Sequence, residues 1–243
     1  RWLQPLWAVK QTLPAAFDHA KIASELAALD RGEAKSYRVK LLAMLRQHLA
    51  AATTKIEQDF YSSNDGAICV GQHARCIDGL LTLLYDEAGK LMPQSHDIAV
   101  IAVGGYGRGE MAPFSDIDVM FLMPANTSKN HEAAIEFMLY LLWDLGLKIG
   151  HSTRNITEAI SVGRDDQTVM TNFLEMRHVC GDVSLWKKLS KAVRSEIGKN
   201  KPLNFVEEKL AERDLRHKRF DDTRYVVEPN VKSNPVTIGF FGA

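Results

Sequence analysis

An apolar run, Val100-Ile-Ala-Val103, breaks at a double glycine, Gly104-Gly105. After a short polar spacer, Ser115 introduces Asp116 and Asp118 at the mouth of a second apolar run that ends at Met123. Residues two apart on a strand share a face, roughly 6.6 Å apart along the chain. Asp116 and Asp118 therefore look one way while Ile117 and Val119 look into a core. Carboxylates at the mouth of so apolar a strand need compensation, since unpaired buried charge is costly. Two acids on one face, beside a glycine turn that lets a phosphate approach the backbone, make a site for Mg²⁺ and a nucleoside triphosphate.

Each part of this pattern is common alone: glycine clusters are usually turns, and an Asp-x-Asp pair is often a solvated strand end. Their conjunction carries the assignment. Other phosphate-binding patterns are excluded. No G-x-x-x-x-G-K-[ST] stretch occurs. Read from Gly105, a dinucleotide-type G-x-G-x-x-G fails at Glu110, and the acids come as a pair at about half the spacing that pattern requires. Thirty basic and thirty acidic residues cancel, so no global basic field recruits nucleic acid, and no basic stripe interleaves with aromatics. No apolar stretch approaches 18 residues, and the N-terminus lacks a signal-peptide pattern. Cys69, Cys76 and Cys180 form no CxxC pair and read as reduced core thiols of a cytoplasmic protein.

Helical spacing dominates the first 92 residues. It predicts helices over Asp18 to Leu29, Tyr37 to Tyr61 and Ala67 to Gly89, with Pro93 closing the region. Asp18-His19 and Gln72-His73-Ala74-Arg75 read as solvated helix faces. From 93 to 183 the pattern is mixed. Strands are expected at Ile98 to Val103, Asp116 to Met123 and Leu147 to Asn155. Between and after them fall a helical turn from Arg108 to Phe114, a helix from Ala133 to Leu145, a short helix capped by Thr157, and a helix from about Asp166 to Val179. Residues 184–243 form the third region, helical to about Asp222, with an extended tail from Tyr225. The expected class is α+β: a small mixed-sheet core flanked by N-terminal and C-terminal helical segments.

The residues Gly104-Gly-Tyr-Gly-Arg-Gly-Glu110 and Pro113-Phe-Ser-Asp-Ile-Asp-Val119 resemble the DNA polymerase β-like nucleotidyltransferase superfamily. More narrowly, the chain resembles the N-terminal nucleotidyltransferase part of bacterial bifunctional uridylyltransferase/uridylyl-removing enzymes acting on the nitrogen signal protein PII. Leu142 to Arg154, Asp166 to Arg177, Gly181-Asp182, His217 to Phe220 and Glu228 to Lys232 extend the likeness over roughly residues 65 to 235. The resemblance implies transfer of UMP from UTP to a tyrosine of PII, with release of pyrophosphate, in the cytoplasm and with no membrane or nucleic-acid partner. In that family an HD domain removes the UMP and C-terminal ACT domains sense glutamine. Neither pattern is found here, and His96-Asp97 reads as a chance dipeptide at a strand entrance. Past Pro235 the family's Gly-Gly-Leu-Arg-Asp-like stretch is replaced by Val236 to Ala243, so the tail is expected to be truncated or altered.

As carried over, Asp116 and Asp118 are the catalytic residues and hold two Mg²⁺ ions. Gly104, Gly105 and Ser115 bind triphosphate oxygens, and Arg108 either neutralises the leaving pyrophosphate or pairs with Glu110. His151 and Arg154 are weaker site candidates. Many superfamily members draw a third acid from a later strand, and Glu175 or Glu228 are the substitutes on offer. Two alternatives share the acid pair: the same chemistry on another substrate, as in adenylylation, and a regulatory module that binds nucleotide without turnover.

Overall fold

The computed structural model describes residues 16–93 and 95–199. The chain divides into two compact units, Arg1–Val193 and Arg194–Ala243; the whole sheet, and every helix up to the last turns of α8, lies in the first. Among the described residues three helices come first: α1 (His19–Ala27), α2 (Ala34–Ser63) and α3 (Gly66–Leu91). Asp18 is not merely solvated, because it caps α1 by accepting the Lys21 N–H at 3.0 Å. Between the two long helices, Asn64 turns left-handed at φ 51°, and Asp65 accepts the N–H groups of Ala67 and Ile68. That is the stop expected from the polar cluster there. Gln72 departs from the expected solvated face: it is buried and donates to Asp59 Oδ2 at 2.8 Å.

The mixed region contains β1 (Ala99–Ala102), α4 (Gly104–Gly107), β2 (Ile117–Leu122), α5 (Lys129–Asp144), β3 (Ile149–Arg154), α6 (Ile156–Asp165), α7 (Gln167–Leu174), β4 (Arg177–Gly181) and α8 (Val183–Lys199). The strands order as β3-β2-β1-β4, with β2 and β3 parallel and the other pairs antiparallel. Val100, Ala102, Ile117, Val119 and Phe121 share one hydrophobic cluster with residues of α1, α2, α3 and α5. Ile101, Met120 and Leu122 point the other way and are equally buried, so the sheet is covered on both faces.

The α+β class is as expected, but three local readings are corrected. The helix expected to run to Val179 ends at Leu174, and Arg177–Gly181 forms β4 on the far side of β1. Helical spacing through Met170 and Phe173 hides the change, whereas β1 would leave a row of backbone groups unsatisfied without a partner there. The helical turn lies on Gly104–Gly107 rather than Arg108–Phe114, and Phe114 is instead left-handed at φ 64°. Asn155, not Thr157, caps α6: its Oδ1 accepts Glu158 N–H at 3.0 Å while its own N–H donates to Glu158 Oε2 at 2.9 Å. The three cysteines are buried and free, and burial pushes the Cys76 thiol up to about 12. No helix among the described residues is long and apolar enough to cross a membrane.

Candidate active site

Antiparallel pairing sets Ala102 against Val119, and Val103 donates its N–H to the carbonyl of Asp118 at 3.1 Å. The chain therefore leaves β1 for its glycine turn directly beside the acidic end of β2. Asp116 and Asp118 are exposed on either side of buried Ile117, which is the alternation expected of a half-buried strand. Gly104 sits at φ +59°, where a side chain is strained, and a Cβ on it would lie 3.6 Å from Asp118 Oδ2. On the opposite side, parallel pairing aligns Asp118 with Gly150 of β3. A Cβ on Gly150 would fall 2.3 Å from Asp118 Oδ1. The Asp118 carboxylate thus rests in a notch between two glycines, one oxygen toward each.

Other candidates divide by geometry. Arg108 passes alongside Gly105, with Nη2 at 3.6 Å from the position a Cβ there would take. Its Nε donates to Glu110 Oε2 at 3.1 Å, the expected neighbour, and its Nη1 to Glu175 Oε2 at 2.7 Å, a partner the sequence did not assign to it. Ser115 is half-buried in the loop before Asp116, its N–H bonded to the Ala112 carbonyl at 3.1 Å. His151 is aligned with Val119, so it projects from the face opposite Asp118, where its ring lies edge-on to Trp143 at 5.9 Å. Ser152 and Arg154, aligned with Met120 and Leu122, share the Asp118 face. Among the described residues, no group of three or more His, Cys, Asp or Glu side chains is placed to hold a metal ion. Glu175 pairs with Arg108 in this structure, and Glu228 lies outside the described residues.

The structure also brings in residues that the sequence pattern did not offer. Asn172 of α7 has Oδ1 4.0 Å from the point a Gly104 Cβ would occupy, placing a carboxamide against the same glycine that Asp118 approaches. A Cβ on Gly107 would meet the Glu175 carbonyl, so the end of α7 closes tightly over the glycine turn. Only a correct boundary between α7 and β4 would have exposed these contacts in the sequence.

A glycine turn between two antiparallel strands, with paired acids opening the second, defines a nucleotidyltransferase core. Residues 86–178 match the family model described as nucleotidyltransferase domain, and residues 204–235 match that described as GlnD PII-uridylyltransferase. The chain is 41% identical over 202 residues to a bifunctional uridylyltransferase/uridylyl-removing enzyme of Rhodospirillum rubrum, an alignment covering 80% of this chain and 22% of that protein. It is 38% identical over 231 residues to one of Rhodopseudomonas palustris, covering 90% of this chain and 25% of that protein. The chain is a nucleotidyltransferase relative of the bifunctional uridylyltransferase/uridylyl-removing enzymes, and it spans about a quarter of the length of the curated relatives it matches.

Proposed function

We propose that this chain transfers UMP from UTP to a tyrosine of the nitrogen signal protein PII. The observation that supports it best is the Asp118 carboxylate, held between Gly104 and Gly150 beside Asp116, in a chain whose relatives bear the uridylyltransferase name. The phenolic oxygen attacks the α-phosphorus, a new P–O bond forms, the bond to the β-phosphate oxygen breaks, and pyrophosphate leaves. The phenol proton, held with a pKa near 10 when unperturbed, passes to solvent.

Paired carboxylates are hard oxygen donors of the kind Mg²⁺ takes, so Asp116 and Asp118 fit as its ligands. When bound, Mg²⁺ neutralises triphosphate charge and orients the reacting oxygens. Gly104 and Gly105 allow phosphate oxygens to reach main-chain N–H groups, and Ser115 offers a hydroxyl donor. Arg108 turns from Glu110 and Glu175 toward the leaving pyrophosphate, a modest change because exposed ion pairs contribute only about 0–1 kcal/mol. PII, the cytoplasm as the working compartment, and the absence of a nucleic-acid partner belong to this reading.

The test incubates the chain with PII, Mg²⁺ and each labelled triphosphate in turn. Label is expected on a PII tyrosine from UTP, with stoichiometric pyrophosphate. Label from ATP instead would replace uridylylation by adenylylation. The two-acid set favours one second reading, a module that binds nucleotide without turnover. Stabilisation by Mg²⁺ and UTP without pyrophosphate release would establish that reading.

A further inference from the structure

We propose that Asp78 of α3 and Arg177 of β4 are positioning residues for the triphosphate-binding turn, acting through Tyr106. This rests on the reading that Gly104 and Gly105 bind the triphosphate. Tyr106 is the only side chain larger than hydrogen in the four-residue helix Gly104–Gly107, and it is driven inward until 2% exposed. Its hydroxyl donates to Asp78 Oδ1 at 2.7 Å. Arg177 donates through Nη1 to Asp78 Oδ2 at 2.8 Å and through Nη2 to Asp78 Oδ1 at 2.9 Å. The same Nη2 reaches the Tyr106 carbonyl at 3.2 Å, and the guanidinium lies 5.3 Å from the Tyr106 ring centroid.

A single bidentate ion pair therefore grips Tyr106 at both ends, its main-chain carbonyl and its phenol. Bidentate arginine–carboxylate pairs are rigid in a way that a lysine contact is not. Burial and the Asp78 charge hold the phenol well above its usual pKa, so it remains a donor. Among the described residues Arg177 Nε is buried without a hydrogen-bond partner, and the guanidinium's bonds go to Asp78 and Tyr106. The two anchors come from elements 99 residues apart in sequence, one in the N-terminal helical region and one in β4. Through them the helices set the orientation of the glycine peptide groups, on which main-chain binding of phosphate depends.

Tyr106→Phe keeps the ring, its packing and the stacking with Arg177, and removes only the hydroxyl. Asp78→Asn keeps the shape and removes the charge. The full chain and both variants are compared by calorimetric binding of Mg²⁺-UTP, by KM for UTP and for PII separately, and by thermal melting. Asp118→Asn serves as the control for the underlying reading. The expected result is a rise of at least fivefold in Kd and KM for UTP in both folded variants, with KM for PII within twofold. Folded variants with unchanged UTP binding would overturn the proposal. So would losses of both substrates in proportion to the unfolded fraction, which mark a merely structural role. Unchanged transfer in Asp118→Asn, or no UTP binding by the parent chain, would sink the underlying reading and the proposal with it.

Discussion

Gly150→Ala separates the placement of Asp118 from the stability of the fold. The added Cβ would lie 2.3 Å from Asp118 Oδ1, against an ordinary heavy-atom contact near ~3.5 Å. The carboxylate must therefore withdraw by about 1 Å. Gly150 is exposed and at no positive φ, and the atom it would meet is the far end of a flexible side chain rather than backbone. Replacing glycine by alanine in a strand gains about 0.5–1 kcal/mol, and an off-rotamer aspartate costs about 0.5–1.5 kcal/mol. Net stability should change by less than about 1 kcal/mol. Catalysis responds differently, because a displacement of about 1 Å in a positioned group costs on the order of 10²-fold, or about 2.7 kcal/mol in the barrier. Gly104→Ala gives the opposite pattern: its Cβ would make an ordinary 3.6 Å contact, but φ +59° carries about 1–2 kcal/mol of strain. Pyrophosphate release from UTP with PII and calorimetric melting read the two effects. Gly150→Ala with a near-parental melting temperature and a transfer rate within twofold of the parent would refute the notch.

Asp116→Asn and Asp118→Asn should each slow transfer on the order of 10³-fold, about 4 kcal/mol, with the fold retained; near-normal rates at saturating Mg²⁺ would remove both from the chemistry. Arg108→Ala should raise KM for UTP about tenfold while barely moving the melting temperature, since its two ion pairs are largely solvated; unchanged UTP kinetics would leave it a surface link only. Glu87 is fully buried and accepts from Arg31 at 2.8 Å and Tyr37 at 2.5 Å. Burial alone would raise its pKa, but hydrogen bonds from Arg31, Tyr37 and Lys90 hold it below the ordinary carboxylate value. A depressed folded-state pKa means this stabilisation is present above the unfolded value near ~4.3 and is lost as pH falls through the folded one. Glu87→Gln should therefore destabilise by about 3 kcal/mol at pH 7, and the gap to the parent should narrow in melts taken below about pH 4. A pH-independent gap would reject the linkage.

Local pattern was enough for much of this molecule. Alternation around Ile117 put Asp116 and Asp118 on one face, and polar stops at Asn64 and Asp65 separated α2 from α3. These features depend on periodicity and capping, which act within a few residues and are visible to a reader of the chain. β4 was illegible because its five residues continue a helical spacing, and only the open edge of β1 selects a strand there. His151 belongs to an expected strand, yet its face is set by register with β2, which turned it toward Trp143 and away from Asp118.

The sequence by itself determined the α+β class, the glycine turn and the acid pair, since each is encoded in contiguous residues with their own conformational preferences. Tertiary structure alone decided that Gly150 makes room for Asp118, that Glu175 engages Arg108, and that Asp78 and Arg177 hold Tyr106. Each of those contacts joins residues 28 to 99 positions apart, brought together by strand register and helix packing rather than by any local preference.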